Sequence, residues 1–171
     1  MNRPLVLSAL GALVLGAWAL AGCESKQERR EKNVVSQYED RLKAGSEDAR
    51  VQAARELGNA SKGMTEDAVD KAVDVLGDAL HDSSKAVRKA AAESLGKIRT
   101  TDAMKELRDG FNELRNRGVE GADEVQEEYT DALDELKSEA RRGVQQARDT
   151  LKALNESWEE SGGGIRIDVD A

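Results

Sequence analysis

From Pro4 to Gly22 the chain runs without a charged residue (PLVLSALGALVLGAWALAG), whereas from Cys23 onward apolar residues recur at intervals of three and four. The second pattern is that of amphipathic helices. Val69, Val73, Leu76 and Leu80 share one helical face, and Val87, Ala91, Leu95 and Ile98 share another. Thr65, followed by Glu66 and Asp67, offers a capping oxygen and acids at the positive end of a helix. Thr101 and Asp102 open a further helix whose Met104, Leu107, Phe111 and Leu114 face inward. Tyr129, Leu133, Leu136, Ala140, Val144, Ala147, Leu151, Leu154 and Trp158 continue the stripe and predict helix over 122–160. A straight helix of that extent would reach nearly 60 Å at about 1.5 Å per residue. Gly143, which costs about 1 kcal/mol relative to alanine, is the expected bend. Beyond Ser161, three glycines precede an apolar–polar alternation (IRIDVD) typical of a half-buried strand. With no other strand in the pattern to pair with, 161–171 reads as a flexible tail rather than a strand added to a partner's sheet.

The helical part repeats with a period of 38. Residues 50–58 (RVQAARELG) align with 88–96 (RKAAAESLG), and Val35, Tyr38 and Leu42 map onto Val73, Leu76 and Leu80. Each unit therefore holds two helices joined by a short polar turn, and the second unit is the clearest. Its Val87-Arg88-x-x-Ala91-Ala92-x-x-Leu95-Gly96-x-Ile98, preceded by Leu80-His81-Asp82, resembles the HEAT repeat, including the bacterial HEAT-like form. The small Ala91 and Ala92 suit closely paired helices, and Gly96 suits a left-handed or tightly packed backbone near a helix end. The resemblance implies an all-α stack of helical hairpins, in which Asp82 and Arg88 bond within and between repeats as structural groups. In the first unit Ala49 and Ala44 replace the motif's Val and Asp. In the third, Gly118-Val119-Glu120-Gly121 interrupts the place where the second helix should begin. HEAT-like repeats are accordingly expected over 33–115. Two and a half repeats leave a core that needs closing. Residues 122–160 are then either a cap folded back over the repeats at Gly143 or a coiled-coil arm. The stripe slips by one residue between Ala140 and Val144, which disfavours a strict heptad.

The uncharged run carries the other resemblance. Arg3 before it and the apolar stretch itself read as a secretory signal peptide, and the length also admits a membrane-spanning anchor. Leu20-Ala21-Gly22-Cys23, at the junction with ESKQERR, decides between them because it resembles the bacterial lipobox at all four positions. That resemblance implies removal of residues 1–22 and lipidation of Cys23, with a thioether-linked diacylglycerol and an N-acyl chain. At about 0.8 kcal/mol per buried methylene, two or three such chains anchor a protein stably. The expected location is the bacterial cell envelope. Glu24 favours the periplasmic face of the outer membrane in a diderm; otherwise the chain would sit on the outer face of the cell membrane. Residues 23–32 would serve as a polar tether, whose mixed signs argue against a specific lipid-headgroup site.

Composition narrows the chemistry. Of 171 residues, 34 are acidic and 26 basic; removal of residues 1–22, which hold Arg3 alone, leaves 149 residues at net charge −9. That balance argues against nucleic acid as a partner. The single cysteine excludes an internal disulfide. One histidine and no Cys-x-x-Cys or His-x-x-x-His spacing leave no ligand set for a metal, and no glycine-rich loop follows a strand to hold a cofactor. His81, Asp82, Ser83 and Ser84 crowd one turn and cannot reach the geometry of a catalytic triad. The expectation is therefore a non-enzymatic, membrane-anchored interaction module or scaffold with a protein partner. A homo-oligomeric coiled-coil lipoprotein is the alternative, and a carrier of an apolar ligand is a more remote one.

Overall fold

Residues 25–160 are described by a computed structural model; Cys23, the rest of the signal-like segment and residues 161–171 lie outside the described residues. Seven α-helices follow in order: α1 (Lys26–Ala44), α2 (Glu47–Ala60), α3 (Glu66–Ala79), α4 (Lys85–Ile98), α5 (Thr101–Asn116), α6 (Ala122–Arg141) and α7 (Gln145–Glu160). No strand occurs among the described residues, and none of these helices is long and apolar enough to cross a membrane.

The helices alternate in direction and sort into two layers. α1, α3, α5 and α7 pack side by side, as do α2, α4 and α6, and α1, α3 and α5 each pair with the even helix that follows. One continuous core lies between the layers. Val35, Leu57, Val73, Leu76, Val87, Leu95, Met104, Leu107, Leu114, Leu151 and Leu154 are all sealed from solvent. At about 1.5–3 kcal/mol for each large apolar side chain, these residues hold the stack together. Ala53, Ala54 and Ala90–Ala92 are also buried, so the even helices meet through methyl groups and approach closely.

Serine and threonine set where the helices begin. Ser25 and Glu28 form a reciprocal capping box on α1, while Ser46, Ser84 and Thr100 each accept from a backbone N–H in the first turn of α2, α4 and α5. Thr65 departs from its expected part. It stands before α3 but does not cap it; its hydroxyl and backbone N–H both donate to one Glu31 oxygen, at 2.7 and 2.8 Å. Those bonds hold the Glu31 carboxyl below the usual glutamate range, Thr65 N–H first, with Gln27 and the Thr65 hydroxyl adding to it. The polar tether expected over 23–32 is thus helical from Lys26, because Ser25 caps it and Glu31 docks it on α3.

The third unit is also more complete than its motif. Its second helix, α6, begins at Ala122, 37 residues after Lys85 begins α4, and buried Val125 stands 38 residues after buried Val87. The Gly118–Gly121 interruption is the turn itself, with φ of +63° and +93° at its two glycines. Repeat architecture therefore continues past 115. At Gly143, φ +88°, the chain reverses, and α7 packs on α5 and α6 as the first helix of a fourth unit. Residues 122–160 are two packed helices, and no single projecting arm forms from them.

Candidate functional site

The turns that join the two helices of each unit carry a ladder of arginines. Asp82 sits in the turn before α4, half-buried, and both its oxygens are bound by Arg50 of the preceding unit, Nε at 2.9 Å and Nη2 at 3.0 Å. Arg88 lies 38 residues after Arg50; both donate to the carbonyl five residues back (Gly45 and Ser83, each at 3.1 Å), but their other acceptors differ. Arg88 donates to the backbone carbonyls of Asp82 (2.8 Å) and Ser83 (3.1 Å), and across the next junction to the carbonyl of Glu120. The Asp82–Arg88 pairing implied by the motif is therefore a bond to the Asp82 backbone, and the carboxylate belongs to Arg50. Both arginines reach 32 residues forward, so the ladder is periodic although its acceptors change. Arg88 is only 4% exposed, and its charge is met by carbonyl dipoles.

The remaining motif residues pack. Val87, Ala91 and Leu95 are fully buried. Gly96 is helical, not left-handed; the left-handed residue that ends α4 is Arg99, at φ 55°. Its guanidinium pairs with Glu135 (2.9 Å) and Glu139 (3.0 Å) of α6. Cys23, the expected lipid site, is outside the described residues.

The two junctions between even helices differ. Between α2 and α4 a Cβ built on Gly58 would lie 2.5 Å from Ser94 Cβ and 2.9 Å from its Cα. The helices touch there through backbone, and Ser94 Oγ donates to the Ala54 carbonyl at 3.0 Å. Between α4 and α6 the corresponding pair is Gly96 and Ala132. A Cβ on Gly96 would meet nothing nearer than the Glu128 carbonyl at 3.6 Å and Ala132 Cβ at 3.7 Å. Ala132 has no hydroxyl to draw the helices together. Charge follows the same division. Arg55 stands 3.6 Å from Glu93 across the first junction, whereas at the second Glu93 and Asp131, 38 residues on from Arg55 and Glu93, both line one cleft and bear on Glu128 as like charges.

A cleft of about 450 Å³ opens along that second junction, lined by Glu93, Gly96, Glu128, Asp131, Ala132 and Glu135, with Lys62, Lys97 and Arg99 at one end. Burial, then the charges of Glu93 and Asp131, raises the Glu128 carboxyl above the usual glutamate range; Lys89 opposes them only in part. An acid-lined groove of this kind has the chemistry to hold a cationic side chain, which would relieve the repulsion. None of these carboxylates was singled out by sequence, where one residue in five is acidic. The available signal was the 38-residue series Arg55, Glu93, Asp131.

A second cleft, of about 380 Å³, lies at the turns between α1, α2 and α3, where Leu42, Val75 and Ala79 meet Arg50, His81 and Asp82. His81 is exposed and lies 3.8 Å from Glu113. Ser84 is occupied in capping α4, and Asp82 also accepts from the Ser84 N–H. Among the described residues no three histidine, cysteine, aspartate or glutamate side chains converge as a metal-binding group.

A family model described as HEAT repeats matches residues 36–122. No curated protein and no solved structure matches the chain.

Proposed function

The chain belongs to the HEAT-repeat family, and from that premise we propose that it is a lipid-anchored bacterial envelope protein whose repeat stack binds a protein partner without catalysing a reaction. The observation that carries the binding part is the widened junction between α4 and α6. Helical-repeat scaffolds bind along the faces of their stacked helices, and this face has one groove where the packing slackens and acids crowd. The partner that fits it presents a lysine or arginine flanked by small or polar residues. Support for the anchor is the lipobox-like Leu20-Ala21-Gly22-Cys23 at the end of an uncharged run.

Two experiments test the two halves. A photo-crosslinking residue in place of exposed Lys97, in the full chain in cells, should capture a protein. The adduct should vanish when Glu128 and Asp131 are both changed to lysine; an adduct that survives the double reversal removes the groove from the proposal. For the anchor, Cys23→Ala should abolish labelling by a fatty-acid analogue, and persistent labelling would refute lipidation at that residue.

A further inference from the structure

We infer that the end of the stack nearest the N-terminus is a membrane-facing surface that lies against anionic lipid headgroups, so that the repeat domain stands upright on the bilayer. The inference rests on the anchor reading and adds an orientation and a lipid class to it.

The first ground is the leash. Only Glu24 separates Cys23 from Ser25, the cap of α1. Two residues span at most about 7 Å. α1 is in turn tied to the stack at its first turns, through Glu31 to Thr65 and Lys32 to Asp67 (3.4 Å). A domain so attached presents one end to the surface that holds its anchor.

The second ground is which residues occupy that end. The helices alternate in direction, so the start of α1 shares a pole with the turns 61–65, 99–100 and 142–144. Contacts run across this pole from Glu31 to Thr65 and from Arg99 to Glu139, and Ile98 and Val144 line one small cleft. The capping stretch 25–30 and these three turns contain Lys26, Arg29, Arg30, Lys62, Arg99 and Arg142 against a single acid, Glu28. Adjoining helix turns add Glu31, Glu66, Asp67, Asp102 and Glu139 together with Lys32, Lys97, Arg141 and Arg148, which leaves ten basic residues against six acids. The opposite pole has the reverse composition. Its turns 45–46, 80–84 and 117–121, with residues 154–159, hold Arg117 against Asp82, Glu120, Glu156 and Glu159. A chain with a strong acidic excess thus keeps its basic end beside its proposed anchor. The mixed signs of residues 23–32 carry no such bias alone; the fold adds the three turns.

The third ground is Val144, at 42% the most exposed large apolar residue described, which projects from the same pole beside Arg142. Basic side chains around an exposed valine match a headgroup layer. An acidic protein would match the charges equally but would not explain their position at the start of α1.

The full chain, purified with its lipid and reconstituted in vesicles, provides the test. A fluorophore is placed on Gly63→Cys, where an added side chain meets nothing within 4 Å, and separately on Ser83→Cys at the opposite pole. A quencher is carried on the lipid headgroups. In vesicles of phosphatidylcholine with about one-third phosphatidylglycerol, position 63 should be quenched several-fold more than position 83. The difference should collapse in phosphatidylcholine alone, in 0.5 M salt, or when Arg30, Lys62 and Arg142 are all changed to glutamate; each charge near such a surface changes affinity about fivefold. Equal quenching at the two positions, or a difference indifferent to lipid charge and salt, would overturn the orientation. So would a pole serving an acidic protein, which would leave position 63 away from headgroups in every vesicle. Fatty-acid labelling of the same chain separates the two ideas. A labelled chain without the positional difference defeats the orientation alone, and an unlabelled chain defeats the anchor together with the orientation built on it.

Discussion

The junction between α2 and α4 and that between α4 and α6 are built from the same repeat positions, yet one is closed and the other is a groove. At the first, Gly58 meets Ser94 through backbone and a serine hydroxyl bonds the opposing helix. At the second, Gly96 meets Ala132 across an ordinary van der Waals gap. The first places Arg55 near Glu93, and the second gathers Glu93 and Asp131 around Glu128. The lesson is that a repeat's shared glycine does not determine spacing. What stands opposite it does, and exchanging a serine for an alanine and an arginine for an acid turns a packing seam into an acid-lined groove.

Substitutions can break that contrast. The largest effect is expected at Arg88, whose loss strands the carbonyls of Asp82, Ser83 and Glu120; Arg88→Ala should lower unfolding stability by about 3 kcal/mol in urea titration. Gly58→Ala comes next. Its methyl cannot enter without moving backbone, so about 1–3 kcal/mol should be lost. Gly96→Ala, the same change 38 residues later, should instead raise stability by up to about 1 kcal/mol, since space exists and alanine favours helix. Equal destabilisation by both glycine variants would sink the comparison. Ser94→Ala removes one bond across the closed junction and should cost about 1 kcal/mol, with faster amide exchange confined to α2 and α4. The smallest effect is in pH dependence. Glu128 holds its proton to higher pH in the folded chain than the usual value of 4.5, so stability falls as pH rises through that window. Glu128→Gln should make this limb of the curve shallower, with Asp70 and Glu106, also raised, supplying what remains, while leaving untouched the opposite limb. On that limb Glu31, with its lowered value, gives up stability as pH falls below 4.5.

The helices and their period were legible because the core enforces them: Val35, Val73 and Val87 must face inward wherever they occur. The third unit's second helix was not recognised, and the reason is chemical. Gln126 and Tyr129 occupy the places of Arg88 and Ala91, so the motif is erased while buried Val125 keeps the period. Burial leaves the Tyr129 hydroxyl without a partner and pushes its pKa up to about 12, with Asp109 adding to the rise and Arg108 opposing it. The site was less legible than the fold. Glu93, Glu128 and Asp131 look like any solvated acids until the helices that carry them are set apart, and that distance is a property of Ala132 rather than of the acids.

One consequence follows from α7 being half a unit. In a linear array each inner repeat is clamped from both sides, whereas a terminal one is clamped from one, so opening begins at an end and spreads inward. α1 is secured by a capping box and by Glu31. α7 follows a left-handed glycine at its start and pairs with no later helix among the described residues. Among the described residues α7 is therefore the less secured edge, and amide exchange should run as a gradient, fastest in α7 and slowest in α3 and α4. The groove beside α6 lies one interface away from that loose edge. Its width is then a quantity that thermal motion of a single helix can modulate.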